Sequence, residues 1–217
     1  MDAVPDQGSE ELPHDGRRGD TRARIQHVAL EMFAERGYER TSLREIAERL
    51  GVTKAALYYH FKSKEDIVRS FTEDYFERID ALIEWGQGQP PSPQTGHELL
   101  ERYIAIVMAG TEVFRFLERN QATLRSPDGG SDGGSDGTAG GKHRFAQFRP
   151  RLNTLAGIIT GPDASPRSRI RATTALFAAS AACMLFTEDS EHGPSHDELR
   201  KIVLEIADDL THDVTGY

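Results

Sequence analysis

Apolar residues return at helical spacing over most of this chain, and no segment alternates apolar and polar residues in the manner of a strand. From about Thr21 to Arg36, Ile25, Val28, Ala29, Met32 and Phe33 fall on one helical face, and Gly37 closes the helix. A second helix opens at Ser42, where S-x-x-E with Glu45 forms a capping box and Leu43, Ile46, Ala47 and Leu50 face inward. Gly51 ends it in a sharp turn. A short third helix follows from about Lys54 to Phe61, with Leu57 and Phe61 as its core positions, and Ser63 caps a fourth that runs to about Trp85.

The pattern then breaks at GQGQPPSPQTG (86–96). Thr95 and Glu98 predict a capping box for a helix over about 96–109, with another over about 112–124. Residues 142–160 return to helix, with Pro150 starting or kinking it. Gly161-Pro162 breaks the pattern again, and Ser165-Pro166 reads as a cap and first-turn proline for a long helix to about Glu188. Its centre, ATTALFAASAACMLF, is rich in alanine, which lets helix backbones approach closely. Ser195 and Glu198 cap a last helix, over 195–212, with Leu199, Ile202, Val203, Ile206, Ala207 and Leu210 on one face. The fold class expected is all-α, with about nine helices.

Two segments lack this periodicity. Residues 1–18 are polar with Pro and Gly, which predicts a disordered arm and no signal peptide. SPDGGSDGGSDGTAGGK, within 126–142, predicts a flexible loop. Its aspartates lack the spacing and the twelfth-position glutamate of a calcium loop. The longest apolar run, Ala175–Phe186, has twelve residues, too short to cross a bilayer. Cys183 is the only cysteine, which excludes an internal disulfide, fits a cytoplasmic location and reads as a small buried hydrophobe.

Charge changes the picture. The chain carries −9 overall, which by itself argues against a nucleic-acid partner. Between Arg17 and Lys64, however, eleven Lys or Arg face six Asp or Glu, so this segment is +5 and the remainder −14. A basic end on an acidic body can meet phosphates with one face and stay soluble elsewhere. Arg17, Arg18, Arg22 and Arg24 stand where the arm joins the first helix and are candidate phosphate contacts.

The basic segment holds the chain's most specific pattern. Helix, tight turn and short helix form a helix-turn-helix, whose crossing requires apolar residues at 43, 46, 47, 50, 52 and 57, with a small residue at Ala47 and Gly51 in the turn. The run LYYHF and Lys54, Lys62 and Lys64 then crowd one short helix and its exit, which packing alone does not require.

TSLREIAERLGVTKAALYYHFKSKEDI resembles the signature of the tetracycline-repressor (TetR) family of transcriptional regulators, and the resemblance is strong over about residues 20–67. It implies an N-terminal three-helix DNA-binding domain (19–64) and a C-terminal helical ligand-binding and dimerisation domain (65–217). It also implies that the third helix is the recognition helix. Thr53, Lys54, Ala55, Ala56 and Tyr58 would then approach base edges, lysine donating to guanine and alanine methyls packing on thymine methyls. Thr41 or Ser42, Tyr59, His60 and Lys64 would hold phosphates. His60 has a plainer alternative as a core or capping histidine.

The same resemblance implies a homodimer on a palindromic double-stranded DNA operator, paired through the last two helices, and a small-molecule effector that shifts the fourth helix. Trp85, Tyr103, Met108, Phe114, Phe145, Phe148, Phe177 and Phe186 are candidate pocket residues for a hydrophobic or aromatic effector, although each also fits a core position. No cofactor, metal or membrane partner is expected; His192, His196 and His212 read as surface residues. Two alternatives stay open: a regulator controlled by a protein partner, and an enzyme with a DNA-targeting domain. No nucleophile elbow, P-loop or dinucleotide fingerprint supports the latter.

Overall fold

The computed structural model describes residues 14–120, 124, 139–186 and 193–212, with side chains from residue 20 in the first stretch and from 147 in the third. Among these residues there are eight helices and no strand: α1 (His14–Arg36), α2 (Leu43–Leu50), α3 (Lys54–His60), α4 (Lys64–Gln87), α5 (Pro93–Arg119), α6 (Ala139–Thr160), α7 (Pro166–Leu185) and α8 (His196–Thr211). The chain divides into two compact units between Val68 and Arg69.

In the first unit, Ile25, Ala29, Met32 and Phe33 of α1, Leu43, Ile46 and Ala47 of α2, and Leu57 and Phe61 of the α3 region are buried. Both caps of α2 form as the residues dictate. Ser42 Oγ accepts from the Glu45 N–H while the Glu45 carboxylate accepts from the Ser42 N–H. Gly51 sits at φ 68°, and the Val52 N–H closes back on the Ala47 carbonyl at 3.0 Å. α1 begins earlier than its apolar pattern, so residues 14–18, assigned above to the arm, are helical; extending a formed helix costs far less than nucleating one. Residues 1–13 lie outside the described residues.

The second unit is organised around α5. Leu99, Leu100, Tyr103, Ile104, Val107 and Met108 are buried along it, against Tyr75, Ile79 and Leu82 of α4 and Leu152, Leu155, Ala156 and Ile159 of α6. The alanine-rich helix does what its small residues suggest: Ala172, Ala175, Leu176, Ala179 and Cys183 form the inward stripe of α7, which packs on α5, α6 and α8. Burial pushes the Cys183 thiol up to about 11. In the core, Tyr103 Oη lies 2.6 Å from Ser180 Oγ, which donates to the Leu176 carbonyl, so the phenol is the donor to Ser180. The Arg171 guanidinium donates to the carbonyls of Leu210 and Asp209, closing the C-terminal end of α8.

Several expectations are corrected here. The helices expected over 96–109 and 112–124 are one helix, α5, running through Gly110. A Cβ at 110 would lie 3.1 Å from two ring carbons of Tyr75 and 3.3 Å from Phe114 Cε2, so this glycine admits a neighbouring ring and does not end the helix. α5 also starts earlier: Ser92 is its cap and Pro93 its first residue, while the Thr95 hydroxyl donates to the Pro90 carbonyl. The Ser-Pro pair that marks the start of α7 was therefore the stronger signal here too.

α6 neither starts nor stops at Pro150; it runs through that residue, where Gln147, Arg149 and Pro150 are exposed and solvent can take the carbonyl left without a donor. It also takes in residues 139–142 of the expected loop, whose remaining residues, 126–138, lie outside the described ones. Finally, Ile202 and Ile206 of α8 are exposed, on a different face from the buried Leu199, Val203 and Ala207.

The turn at Gly51 offers a clean test. A Cβ there meets no atom within 4 Å, so the cost of Gly51→Ala is conformational only. We expect a loss of about 1 kcal/mol in denaturant unfolding, with Gly51→Asn retaining part of it because asparagine tolerates the left-handed region.

Candidate nucleic-acid interface

α3 has seven residues, and one of them is buried. Leu57 is fully enclosed and Phe61 follows at the C-cap, so this side is fixed to the first unit. The other side is open. Thr53, Lys54, Ala55 and Ala56 are exposed, Tyr58 and His60 are half-buried, and Tyr59 is 58% exposed. Thr53 caps the helix by accepting from the Ala56 N–H at 3.1 Å. Lys54 Nζ stands 5.3 Å from the Tyr58 ring centroid, and the Tyr59 and His60 rings meet edge to face at 5.2 Å. The five residues expected to read bases therefore share the outward side of one short helix.

The residues expected at phosphates are not equivalent. Thr41 is buried, and its hydroxyl donates to the Gly37 and Met32 carbonyls, so its side chain faces the end of α1; Ser42 beside it is exposed. Lys64 Nζ donates to the Tyr38 carbonyl at 2.7 Å and reaches the Glu39 carbonyl at 3.5 Å, while lying 4.4 Å over the Tyr38 ring. Carbonyls and a ring face do not neutralise its charge. Lys62, in contrast, folds back to donate to the Tyr58 carbonyl and closes the end of α3. Of the arginines at the arm junction, Arg22 lies 5.0 Å over the Phe61 ring and Arg24 is exposed.

A cleft of about 400 Å³ gathers Arg40, Ser42, Arg44, Lys54, Tyr58 and Lys64, together with Glu39 and Glu65. Arg40 and Arg44 were not singled out from the sequence. Their signal was available, since they bracket Thr41-Ser42 at the start of α2, but Arg44 alone reads as an ordinary i,i+4 partner of Glu48, to which it is bonded at 2.8 Å. Two carboxylates here are held below the usual range. The Tyr38 hydroxyl, donating at 2.7 Å, lowers Glu65, and the Ser42 hydroxyl and N–H lower Glu45. Burial and the Glu65 carboxylate together raise the Tyr38 phenol.

The residues proposed for an effector pocket are scattered through the second unit. Tyr103 and Met108 are core residues, and Trp85 is covered by the Arg102 guanidinium at 4.1 Å. Phe114 and Phe148 pack around Tyr75, with ring centroids 4.8 and 6.2 Å from it. Phe177 lies in an open groove of about 490 Å³ between α6 and α7 with Leu152 and Ile170, and Phe186 is exposed at the end of α7. The Phe145 side chain and His192 lie outside the described residues.

This geometry, a short outward-facing helix held by a tight glycine turn against a capped partner helix, is that of a helix-turn-helix. Residues 25–71 match the model of the bacterial regulatory proteins of the tetR family. The HTH-type transcriptional regulator TtgR of Pseudomonas putida is 41% identical over 63 residues, covering 29% of this chain and 30% of TtgR. The HTH-type transcriptional repressor KstR2 of Mycolicibacterium smegmatis is 39% identical over 91 residues, or 42% of each chain. The match thus spans less than half the length of either relative.

Solved structures extend the likeness of fold to the body. A transcriptional regulator of the TerR/AcrR family from Aquifex aeolicus aligns over 85% of this chain and 96% of its own, at 22% identity and a TM-score of 0.61. The TetR-family regulator PfmR of Thermus thermophilus aligns over 87% and 97%, at 20% identity and a TM-score of 0.57. No helix among the described residues is long and apolar enough to cross a membrane.

The two lowered carboxylates give the first unit a pH dependence of known sign. Their contribution is complete above the ordinary carboxylate range and is lost as pH falls through the lowered values of Glu45 and Glu65. Glu65→Gln is expected to lower the melting temperature at neutral pH, with the gap from wild type closing in acid. A gap that stays constant with pH would contradict the Tyr38–Glu65 bond as its source.

Proposed function

We propose that this chain is a homodimeric, cytoplasmic transcriptional repressor, not an enzyme, that binds a palindromic double-stranded DNA operator and is released by a small apolar effector. Residues 19–64 serve as the DNA-binding domain, and 65–217 as the effector and dimerisation domain. The observation that carries the reading is the division of α3, with Leu57 and Phe61 enclosed and Thr53, Lys54, Ala55, Ala56 and Tyr58 turned outward. Seven residues with two small methyls and one lysine fit a major groove closely, where Lys54 donates to guanine acceptors. Ser42, Tyr59, His60 and Lys64, with Arg40 and Arg44, hold the flanking phosphates.

One such helix reads few bases, so selectivity comes from two half-sites about 34–36 Å apart, or a multiple of that spacing. Ile170, Phe177 and Met184 recur every seventh residue on the outer side of α7, and Ile202 and Ile206 are exposed on α8. Side chains of this size, repeated on two adjacent helices, support pairing with the same helices of a second copy.

Helix α4 begins in the first unit and continues into the second, so it provides a covalent lever for an effector. The second unit's aromatic cluster of Tyr75, Phe76, Phe114 and Phe148 is apolar in character, which supports an apolar effector for this unit. FadR of Bacillus subtilis, similar in fold at a TM-score of 0.54 and 19% identity, was solved with stearoyl-CoA, which supports the same ligand character. An effector acts only through its different affinities for the two DNA-binding states.

Selecting bound duplexes from a random pool tests the reading, and a two-fold symmetric site is the expected product. On that site Lys54→Ala should cost about 1–3 kcal/mol, with a much smaller loss on random DNA. Equal losses on both would remove Lys54 from base reading. Phe177→Asp or Ile206→Asp should leave a folded monomer in sedimentation at micromolar concentration. If both variants remain dimeric, pairing through α7 and α8 must be given up.

A further inference from the structure

Lys64 and Glu65 are adjacent and opposite in charge, both line the cleft at the start of α2, and both take their partner from Tyr38. The phenol donates to Glu65 Oε1 at 2.7 Å, the Tyr38 carbonyl accepts from Lys64 Nζ at 2.7 Å, and the ring lies under the ammonium at 4.4 Å. Tyr38 itself is 4% exposed and is held edge to face against Phe33, with centroids 5.1 Å apart. It is therefore a fixed post at the start of α4.

The arrangement has an electrostatic consequence. Lysine beside glutamate on a helix terminus can neutralise itself, and a neutralised lysine releases no counterion from DNA. Here the Tyr38 hydroxyl donates to one oxygen of the Glu65 carboxylate, with Ser63 also bonded to that group, and neutral carbonyls hold the ammonium. The Lys64 ammonium lies in the cleft with Arg40, Ser42 and Arg44 and acts on the Glu65 and Glu45 carboxylates through its field, while its direct bonds go to carbonyls. We propose that Tyr38 is a positioning residue for DNA binding: its hydroxyl keeps the Glu65 carboxylate from pairing with Lys64, so that the Lys64 ammonium is available to a phosphate. This assignment rests on the DNA-binding reading above and adds to it a residue that need not touch DNA.

Tyr38→Phe isolates the hydroxyl, because the ring on Phe33, the surface under Lys64 and the backbone carbonyl all remain. Binding of the full chain to random-sequence duplex is measured across a salt series for wild type, Tyr38→Phe, Glu65→Gln and the double variant. Tyr38→Phe should bind about fivefold more weakly at low salt, the size of effect of one exposed charge contact. The slope of log affinity against log salt should become shallower by about 0.9, the share of one phosphate.

In the Glu65→Gln background, where the carboxylate that the Tyr38 hydroxyl holds is gone, the same substitution should change neither affinity nor slope. A residue that only stabilises the fold would lower the melting temperature and weaken binding equally in both backgrounds, and that result overturns the assignment. Wild type that binds while Tyr38→Phe keeps its affinity and slope overturns the assignment alone. Wild type that binds no duplex at low salt overturns the DNA-binding reading and this assignment with it.

Discussion

The burial of Leu57 is the constraint on which the rest of the first unit depends. A helix of seven residues does not persist alone in water, since nucleation outweighs the few hydrogen bonds it gains. α3 exists because Leu57 and, one turn later, Phe61 are enclosed by the unit's core. Everything the outward residues could do follows from that. Ala55 and Ala56 keep the exposed surface slim, Lys54 and Tyr58 supply donors, and none of these residues is needed to hold the helix in place. Thr53 at the start and Lys62 at the end close the remaining backbone groups locally. Apart from the Thr53 cap, the helix presents chemistry without relying on that chemistry for its stability.

The second unit solves a different problem, that of keeping several long helices in register. α5 is surrounded, so it can be apolar on most sides, and the polar exceptions within it are satisfied within the helix or by α7. Thr111 donates to the Met108 carbonyl, and Tyr103 reaches Ser180. At the surface, Arg151 grips the Asp80 carboxylate with two nitrogens at 2.7 and 2.6 Å, and Arg200 reaches Glu101 at 2.8 Å. Such exposed pairs add little stability each and serve mainly to fix register.

Legibility in the sequence followed the range of the interactions. Ser42, Gly51, Ser63, Ser165 and Ser195 mark helix ends through bonds to residues within five positions, and all five ends fall where those residues place them. The sided pattern of α3 was equally readable, because Leu57 and Phe61 recur at a helical interval. What was missed depended on distant partners. Gly110 looked like a break because the Tyr75 ring that occupies its space lies thirty-five positions earlier. Thr41 looked like a phosphate donor because its acceptor at Met32 belongs to a helix already ended. The six apolar residues of the last helix read as one face, whereas Ile202 and Ile206 are exposed and Leu199, Val203 and Ala207 are buried, because periodicity reports an apolar face without saying where its cover comes from. The place of Arg40 and Tyr38 in and beside the cleft has no sequence signal beyond their position next to the motif.

The approach of Gly110 to Tyr75 leaves little slack between α4 and α5. Two ring carbons of Tyr75 and one of Phe114 come within 3.1, 3.1 and 3.3 Å of where a Cβ at 110 would stand. A methyl at 110 would require the rings of Tyr75 and Phe114 to give by a few tenths of an ångström. The seating of two aromatic rings is thus coupled to the absence of one side chain on the neighbouring helix.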